Sequence, residues 1–146
     1  MIKNIDFFNE AFGGFDANED DDAALKLSLD SIFRDGYFEE LARLISQSSK
    51  LASFLGEPGW ELERRLHSGF DGYETWPNAA SFCASVDVDS YELAYPEFYC
   101  DRSTFMEYLR RIIGIFRKYN GDECLDELIN LQVAAGVDLG VRGSHQ

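Results

Sequence analysis

Residues 79–95 read AASFCASVDVDSYELAY, and apolar and polar side chains alternate along the first half of this segment. Alternation with a period of two is typical of a half-buried strand, because successive side chains of a strand point to opposite faces. The apolar side of this strand would consist of Ala80, Phe82, Ala84 and Val86. Residues 87–90 have the composition of a turn, and residues 91–95 are interpreted as the returning strand. We therefore predict a β-hairpin near residues 79–95.

Apolar residues recur at helical spacing on both sides of this hairpin. The predicted helices cover residues 4–14, 23–35, 37–55, 104–120 and 123–132. Asn4 is expected to cap the first of them, and Thr104 with Glu107 has the form of a capping box that would open the fourth. Residues 60–78 show no clear period and are interpreted as a loop with one short strand.

This order of elements predicts one α+β domain over residues 1–146. N-terminal helices and C-terminal helices would pack on a small antiparallel sheet. Within that domain we expect residues 1–22 and 134–146 to be mobile, because termini order poorly unless they are tied down.

The charge of the chain is its strongest compositional feature. It carries 27 acidic and 13 basic residues, for a net charge of −14. No Lys or Arg occurs from Leu66 to Asp101, a segment that contains seven acidic residues. Such a charge repels nucleic acid and anionic membranes, so we expect neither as a partner. It favours encounter with a basic protein instead.

Sequence patterns of catalysis and of cofactor binding are missing. The glycine pairs lack the residues of a phosphate-binding loop, and neither His67 nor His145 lies beside a nucleophile in a recognisable motif. Asp87 and Asp89 have the spacing that begins a calcium loop without the rest of it. The three cysteines form no zinc motif. We therefore expect no cofactor, no metal and no enzymatic activity. The N-terminus shows no signal peptide, which predicts a cytoplasmic protein.

The hairpin and the helix after it together resemble a known family. The residues that carry the resemblance are Ser81 through Asp87, Ser90 through Tyr95, Phe98, Ser103 through Leu109, and Tyr119. Over residues 79–132 this pattern resembles the CdiI-type immunity proteins of bacterial contact-dependent growth inhibition systems. The resemblance implies a partner: the toxic domain of a sibling delivery protein, often a ribonuclease. A nuclease is basic because it binds an anionic substrate, so an acidic inhibitor suits it.

We therefore expect an immunity protein that covers the active site or substrate groove of a basic nuclease toxin. The expected partner-binding carboxylates are Glu74, Asp87, Asp89, Glu92, Glu97 and Asp101. The expected aromatic anchors, drawn from the residue class that often dominates interface energy, are Tyr73, Trp76, Tyr91 and Tyr95. Core packing is the alternative role of these aromatics. The alternative functions are an adaptor or regulatory module for another basic protein and a carboxylate-based hydrolase.

Overall fold

The structure, a computed structural model, describes residues 5–46, 49–57, 59–67, 69, 71–77, 80–121, 126 and 129–131. The helices bounded within these ranges are α1 (Phe7–Phe12), α2 (Ala23–Asp35), α3 (Phe38–Ile45) and α4 (Arg102–Asn120). The strands are β1 (Ser53–Gly56), β2 (Trp60–Arg64), β3 (Phe82–Val86) and β4 (Glu97–Cys100). The strands form one antiparallel sheet in the order β1-β2-β3-β4. The predicted α+β class is confirmed.

Helix α2 is the central element of the core. Residues 23–30 of α2 are all buried, because the sheet lies on one side of this helix while α1 and α4 pack on it as well. Helix α4 reaches the sheet through its first turn, where Phe105 stacks on Phe82 with ring centroids 4.1 Å apart. Farther along α4, Phe116 packs edge-to-face against Phe33 and Phe38, at centroid distances of 5.8 and 5.2 Å. One aromatic cluster thus joins α2, α3 and α4.

The predicted third helix over residues 37–55 is wrong in its second half. Helix α3 ends at Ile45, and the next residue, Ser46, has extended backbone angles of φ −72° and ψ 128°. Serine side chains compete for backbone hydrogen bonds, which favours ending a helix in a serine-rich stretch. The chain then enters β1, whose Leu55 is 68% exposed and does not face the core.

The returning strand predicted over residues 91–95 is also wrong. The partner of β3 is β4, in a register that places Ser85 opposite Glu97 and Phe82 opposite Cys100. Pro96 cannot donate to a strand ladder, so a strand over residues 91–95 is expected to lie at a sheet edge or to end at this proline. Instead its carbonyl accepts a hydrogen bond from the amide of Val86 at 2.9 Å, so Pro96 leads into β4.

The expected helix caps differ from the observed ones. Asp101 caps α4, because its carboxylate accepts a hydrogen bond from the amide of Thr104 at 2.8 Å. The side chain of Glu107 pairs with Arg110 and Arg111 and closes no capping box. Asp6 caps α1, whereas Asn4 lies outside the described residues. The predicted helix over residues 123–132 and the predicted mobile tail fall largely or wholly outside them too.

Candidate partner-binding surface

The sheet has one face that packs on the helices and one that does not. The residues of the packed face, which belong to the hydrophobic core, include Trp60, Leu62, Phe82 and Ala84. We call the opposite face the outer sheet face. By the strand register and the burial pattern, its residues are Ser53, Leu55, Glu61, Glu63, Cys83, Ser85, Glu97 and Tyr99. An antiparallel sheet tolerates one open face because its strands alternate between core and surface side chains.

Cross-strand neighbours arrange the outer sheet face in two rows. One row runs Leu55, Glu61, Ser85, Glu97 from β1 to β4, and the other runs Ser53, Glu63, Cys83, Tyr99. Glu61 and Glu97 therefore flank Ser85, two strands or about 10 Å apart in backbone spacing. Glu63 lies in the next row on the same face. Three carboxylates thus share one face of the sheet.

These three carboxylates make no ion pair with another residue in the part of the chain that the structure describes. No ion pair joins Glu61, Glu63 or Glu97 to a Lys or Arg among those residues. Acidic residues of the helices do have such pairs, for example Asp30 with Arg34 at 2.9 Å. The protein's own cations neutralise part of the helical surface and leave the outer sheet face negative.

The electrostatic cost of this arrangement appears at Glu63. Partial burial, followed by the negative charges of Glu61 and Glu97, raises the pKa of Glu63 above its ordinary value. The same environment acts on the buried thiol of Cys83, the cross-strand neighbour of Glu63. Desolvation, followed by the charges of Glu63 and Glu97, raises the pKa of Cys83 to about 12. Cys83 is therefore a protonated thiol near neutral pH and a poor nucleophile.

Replacement of Glu63 by Gln should stabilise the free protein at neutral pH. A carboxyl group whose pKa is raised by folding favours the folded state fully only below its unfolded pKa, and this contribution is lost as the pH rises through the folded pKa. Ionised Glu63 is thus a liability at pH 7, and the neutral amide removes it. Urea denaturation at pH 7 and pH 4 should show the gain at pH 7 and a smaller gain at pH 4. Ser53→Ala on the same face is the control, with no such pH dependence; equal gains at both pH values would contradict the assignment.

An aromatic series borders the row that ends at Tyr99. Tyr99 contacts Trp76 edge-on at 5.2 Å between centroids, and Trp76 contacts Tyr73 in the same way at 5.1 Å. The guanidinium carbon of Arg65 lies 5.1 Å from the centroid of the Tyr73 ring. Tyr73 and Trp76, both expected anchors, are half-buried in this series. The loop before β3 therefore brings large aromatic rings to the edge of the carboxylate face.

A shallow cavity of about 310 Å³ lies at the other end of the same face, next to the β1–β2 turn. Its lining includes Leu55, Glu57, Glu61, Ser85 and Asp87. Asp87, an expected binding residue, thus joins the outer sheet face at its margin. The exposed side chain of Leu55 lies beside these acids and offers an apolar contact within a negative rim.

The structure does not bring the remaining expected residues onto this face. Asp89 is exposed in the turn after β3, where its amide donates to Asp87 at 3.0 Å. Glu74 is exposed in the loop before β3 and accepts from the amide of Gly72 at 3.2 Å. Asp101 is occupied as the cap of α4, and the hydrogen bond from Thr104 lowers its pKa.

Residues 91–95 lie toward α2 instead. The amide of Ala94 donates to the carbonyl of Ala17 at 2.9 Å, and the phenol of Tyr91 lies near Ser31 and Asp30 of α2. Tyr91 also packs against the core, while Glu92 and Tyr95 are exposed on this segment. Core packing, the alternative role considered for the aromatics, applies to Tyr91.

Sequence reasoning missed Glu61, Glu63 and Tyr99, which complete the outer sheet face. Glu61 and Glu63 alternate with buried Trp60 and Leu62, so a period-two signal was present in β2. Residues 60–78 are predicted to be a loop with one short strand, because Gly69, Gly72 and Pro77 interrupt the pattern, and the prediction does not say which residues form that strand. Tyr99 can be placed on this face only when β4 has been located. Pro96, directly before β4, gives no indication that a strand begins there.

Groups of metal-binding side chains are not found among the described residues. The helices of the described ranges include none that is long and apolar enough to cross a membrane. Comparison of the chain with models of protein families gives no match, and comparisons with curated proteins and with solved structures give none either.

Proposed function

We propose that the protein is an immunity protein that binds and neutralises a cognate basic nuclease toxin in the cytoplasm. The observation that carries the proposal is the outer sheet face, where three carboxylates lie together and none forms an ion pair with a described residue. A protein surface that retains such a cluster is disfavoured by its own repulsion. A positively charged partner would remove that repulsion on binding.

The surroundings of the carboxylates support a protein as the partner. Protein interfaces are enriched in large aromatic residues, which often supply most of the binding energy. Tyr73, Trp76 and Tyr99 border the carboxylates on one side, and Leu55 offers an exposed apolar contact on the other. Basic residues from a toxin's substrate groove would meet the acids, while its apolar rim would meet these rings.

Binding rather than catalysis is the use of the acids that best fits this geometry. A carboxylate-based hydrolase holds its acid and base around a substrate pocket, with the two pKa values pushed apart. Glu63, whose pKa is raised, does not line the cavity beside Leu55. The carboxylates instead spread across strands β2 and β4, as expected for a docking surface. The resemblance to CdiI-type immunity proteins makes a nuclease toxin the more specific choice over another basic protein.

Co-expression with the candidate toxin tests the proposal. An immunity gene is expected directly downstream of a gene for a large secreted protein, whose C-terminal domain is the candidate toxin. That domain alone should stop growth in a neutral host, and this protein should restore growth and form a complex with it. An unrelated acidic protein of similar size is the control. A toxin that remains lethal would contradict the proposal, whereas a stable complex with a harmless basic protein would favour the adaptor function.

A further inference from the structure

A different cavity, on the packed side of the sheet, has the opposite charge. It has a volume of about 550 Å³ and lies between the chain after α3, the end of β2 and the start of α4. The lining residues that matter here are Lys50, Arg64, Arg65, Leu66, Phe82 and Arg102. No Asp or Glu occurs among its described lining residues. A concentration of cations in a chain with a net charge of −14 calls for a specific explanation.

Arg64 is the most deeply placed of these cations. The residue is only 8% exposed, and its guanidinium donates to the carbonyl oxygens of Ser46 and Ser49. The Nε atom of Arg64 is buried and has no hydrogen-bond partner. A guanidinium has five N–H donors, so these two bonds leave much of its capacity unused. Burial of this charge, followed by the nearby charge of Arg102, lowers the pKa of Arg64.

Arg102 approaches the same cavity from the first turn of α4. Its guanidinium donates to the carbonyl of Ile45 at 2.9 Å, at the C-terminal end of α3. Cations are favoured at this end of a helix, which accounts for the position of both arginines. The two guanidinium groups nevertheless have no carboxylate partner, since no Asp or Glu pairs with Arg64 or Arg102 among the described residues. Such burial of cations is costly unless an anion compensates them.

The other two cations lie around this pair. Lys50 is exposed, and among the described residues its ammonium makes no hydrogen bond or ion pair. Arg65 donates to the carbonyls of His67 and Gly69, at 3.1 and 2.8 Å, so its guanidinium is held at the rim. The cavity therefore has arginines held by hydrogen bonds and, among its described lining residues, one exposed lysine without a polar partner.

We propose that this cavity binds a small anion of the phosphate class, such as pyrophosphate or the terminal phosphates of a small metabolite. Guanidinium groups suit phosphate because they present several donors in a rigid plane. The volume lies within the range of about 300–1,000 Å³ that is usual for small-molecule sites. Phe82 is stacked on Phe105, and Arg102 lies over its ring, so little ring surface is left for a nucleobase. The charged group is thus the part that is recognised.

No residue of the outer sheet face lines this cavity, and Arg65 at its rim contacts Tyr73 at the border of that face. The inference does not rest on the proposed function. Phe82 faces the core in β3, whereas Ser85 and the buried Cys83 lie on the opposite face by the strand register. The anion would bind on the side of the sheet that the toxin does not cover. It would also tie the end of α3 to the start of α4 through Arg64 and Arg102, and so should raise the melting temperature.

Calorimetric titration of the full chain with sodium pyrophosphate, at constant ionic strength, tests the inference. We expect one ion bound per chain, and binding weakened by about tenfold or more in Lys50→Gln and in Arg102→Met, as for the loss of a charge-assisted contact. Arg43→Gln, which removes an exposed charge of α3 outside the cavity lining, should leave affinity within about twofold. Inorganic phosphate and adenosine triphosphate serve as further probes. Phosphate should bind more weakly than pyrophosphate, and adenosine triphosphate should bind no more tightly, because the site recognises adjacent phosphates and no base; tighter binding of adenosine triphosphate would contradict this.

Lys50→Gln keeps the test decisive if Arg102→Met fails to fold, because Lys50 is exposed and its ammonium makes no hydrogen bond or ion pair with a described residue. Absence of heat and of any shift in melting temperature at millimolar pyrophosphate would overturn the inference. So would an affinity that falls equally in Lys50→Gln and Arg43→Gln, because it would reflect the general field of the surface. Either result would leave Arg64 and Arg102 as caps of α3 only.

Discussion

Simultaneous replacement of Glu61, Glu63 and Glu97 by Gln should weaken the complex with the cognate toxin by about 100-fold or more. Truncation of one partner of a buried, hydrogen-bonded charge pair costs about 2–5 kcal/mol, and 1.4 kcal/mol corresponds to about tenfold in Kd. The three amides keep the shape of the outer sheet face and remove its charge. Titration at two or more salt concentrations should also show a flatter salt dependence, because fewer opposite charges meet on binding.

The matched control removes the same number of charges elsewhere. Asp21→Asn, Asp35→Asn and Glu39→Gln are all exposed on the described chain and lie away from the sheet. We expect this triple variant to alter the association rate and to leave the dissociation rate close to that of the parent. If the two triple variants lost the same affinity, only net charge would matter and the outer sheet face would not be the binding site. The co-expression test would then still decide whether the protein is an immunity protein.

Phe116→Ala should lower the free energy of unfolding by about 3–5 kcal/mol, as is usual for truncation of a buried phenylalanine. Phe116 is 0% exposed and contacts Phe33 and Phe38 edge-to-face, so its removal opens a cavity where three helices meet. Such a loss is a large fraction of the stability of a small domain. Urea denaturation followed by circular dichroism measures it directly.

Tyr95→Ala is the control for this stability prediction. Tyr95 is 49% exposed, so truncation should change the free energy of unfolding by no more than about 0.5 kcal/mol. A loss below about 1 kcal/mol for Phe116→Ala would mean that the helices meet differently or that the site collapses around the smaller side chain.

The bounds of helices α2 and α4 could be predicted well from the sequence. The helix predicted over residues 23–35 coincides with α2, and Gly36 ends it with a φ of 77° as a left-handed cap. The end of α4 at Asn120 was also predicted. Both helices carry a strong apolar period along with a local end signal, so their positions could be inferred without tertiary information.

Strands β1 and β4 could not be located in this way. Leu51 and Leu55 have helical spacing, and only the pairing of β1 with β2 reveals that this segment is extended. Strand β4 has four residues, too few for a reliable period. Its register, which places Glu97 opposite Ser85, is set by contacts between strands and by turn length. The acidic character of the region was evident beforehand, but the residues that share one face depend on this register.

Along β2 and β3, side chains that pack in the core alternate with side chains that form the outer sheet face, so each strand contributes to both stability and binding. Leu62 and Ala84 pack in the hydrophobic core, whereas their immediate neighbours Glu61 and Ser85 lie half-buried on the outer sheet face. Substitutions at the second set change what the face presents and leave the packing of the first set intact. Point mutations in every second codon of these strands can therefore change the binding specificity of the protein without loss of its fold.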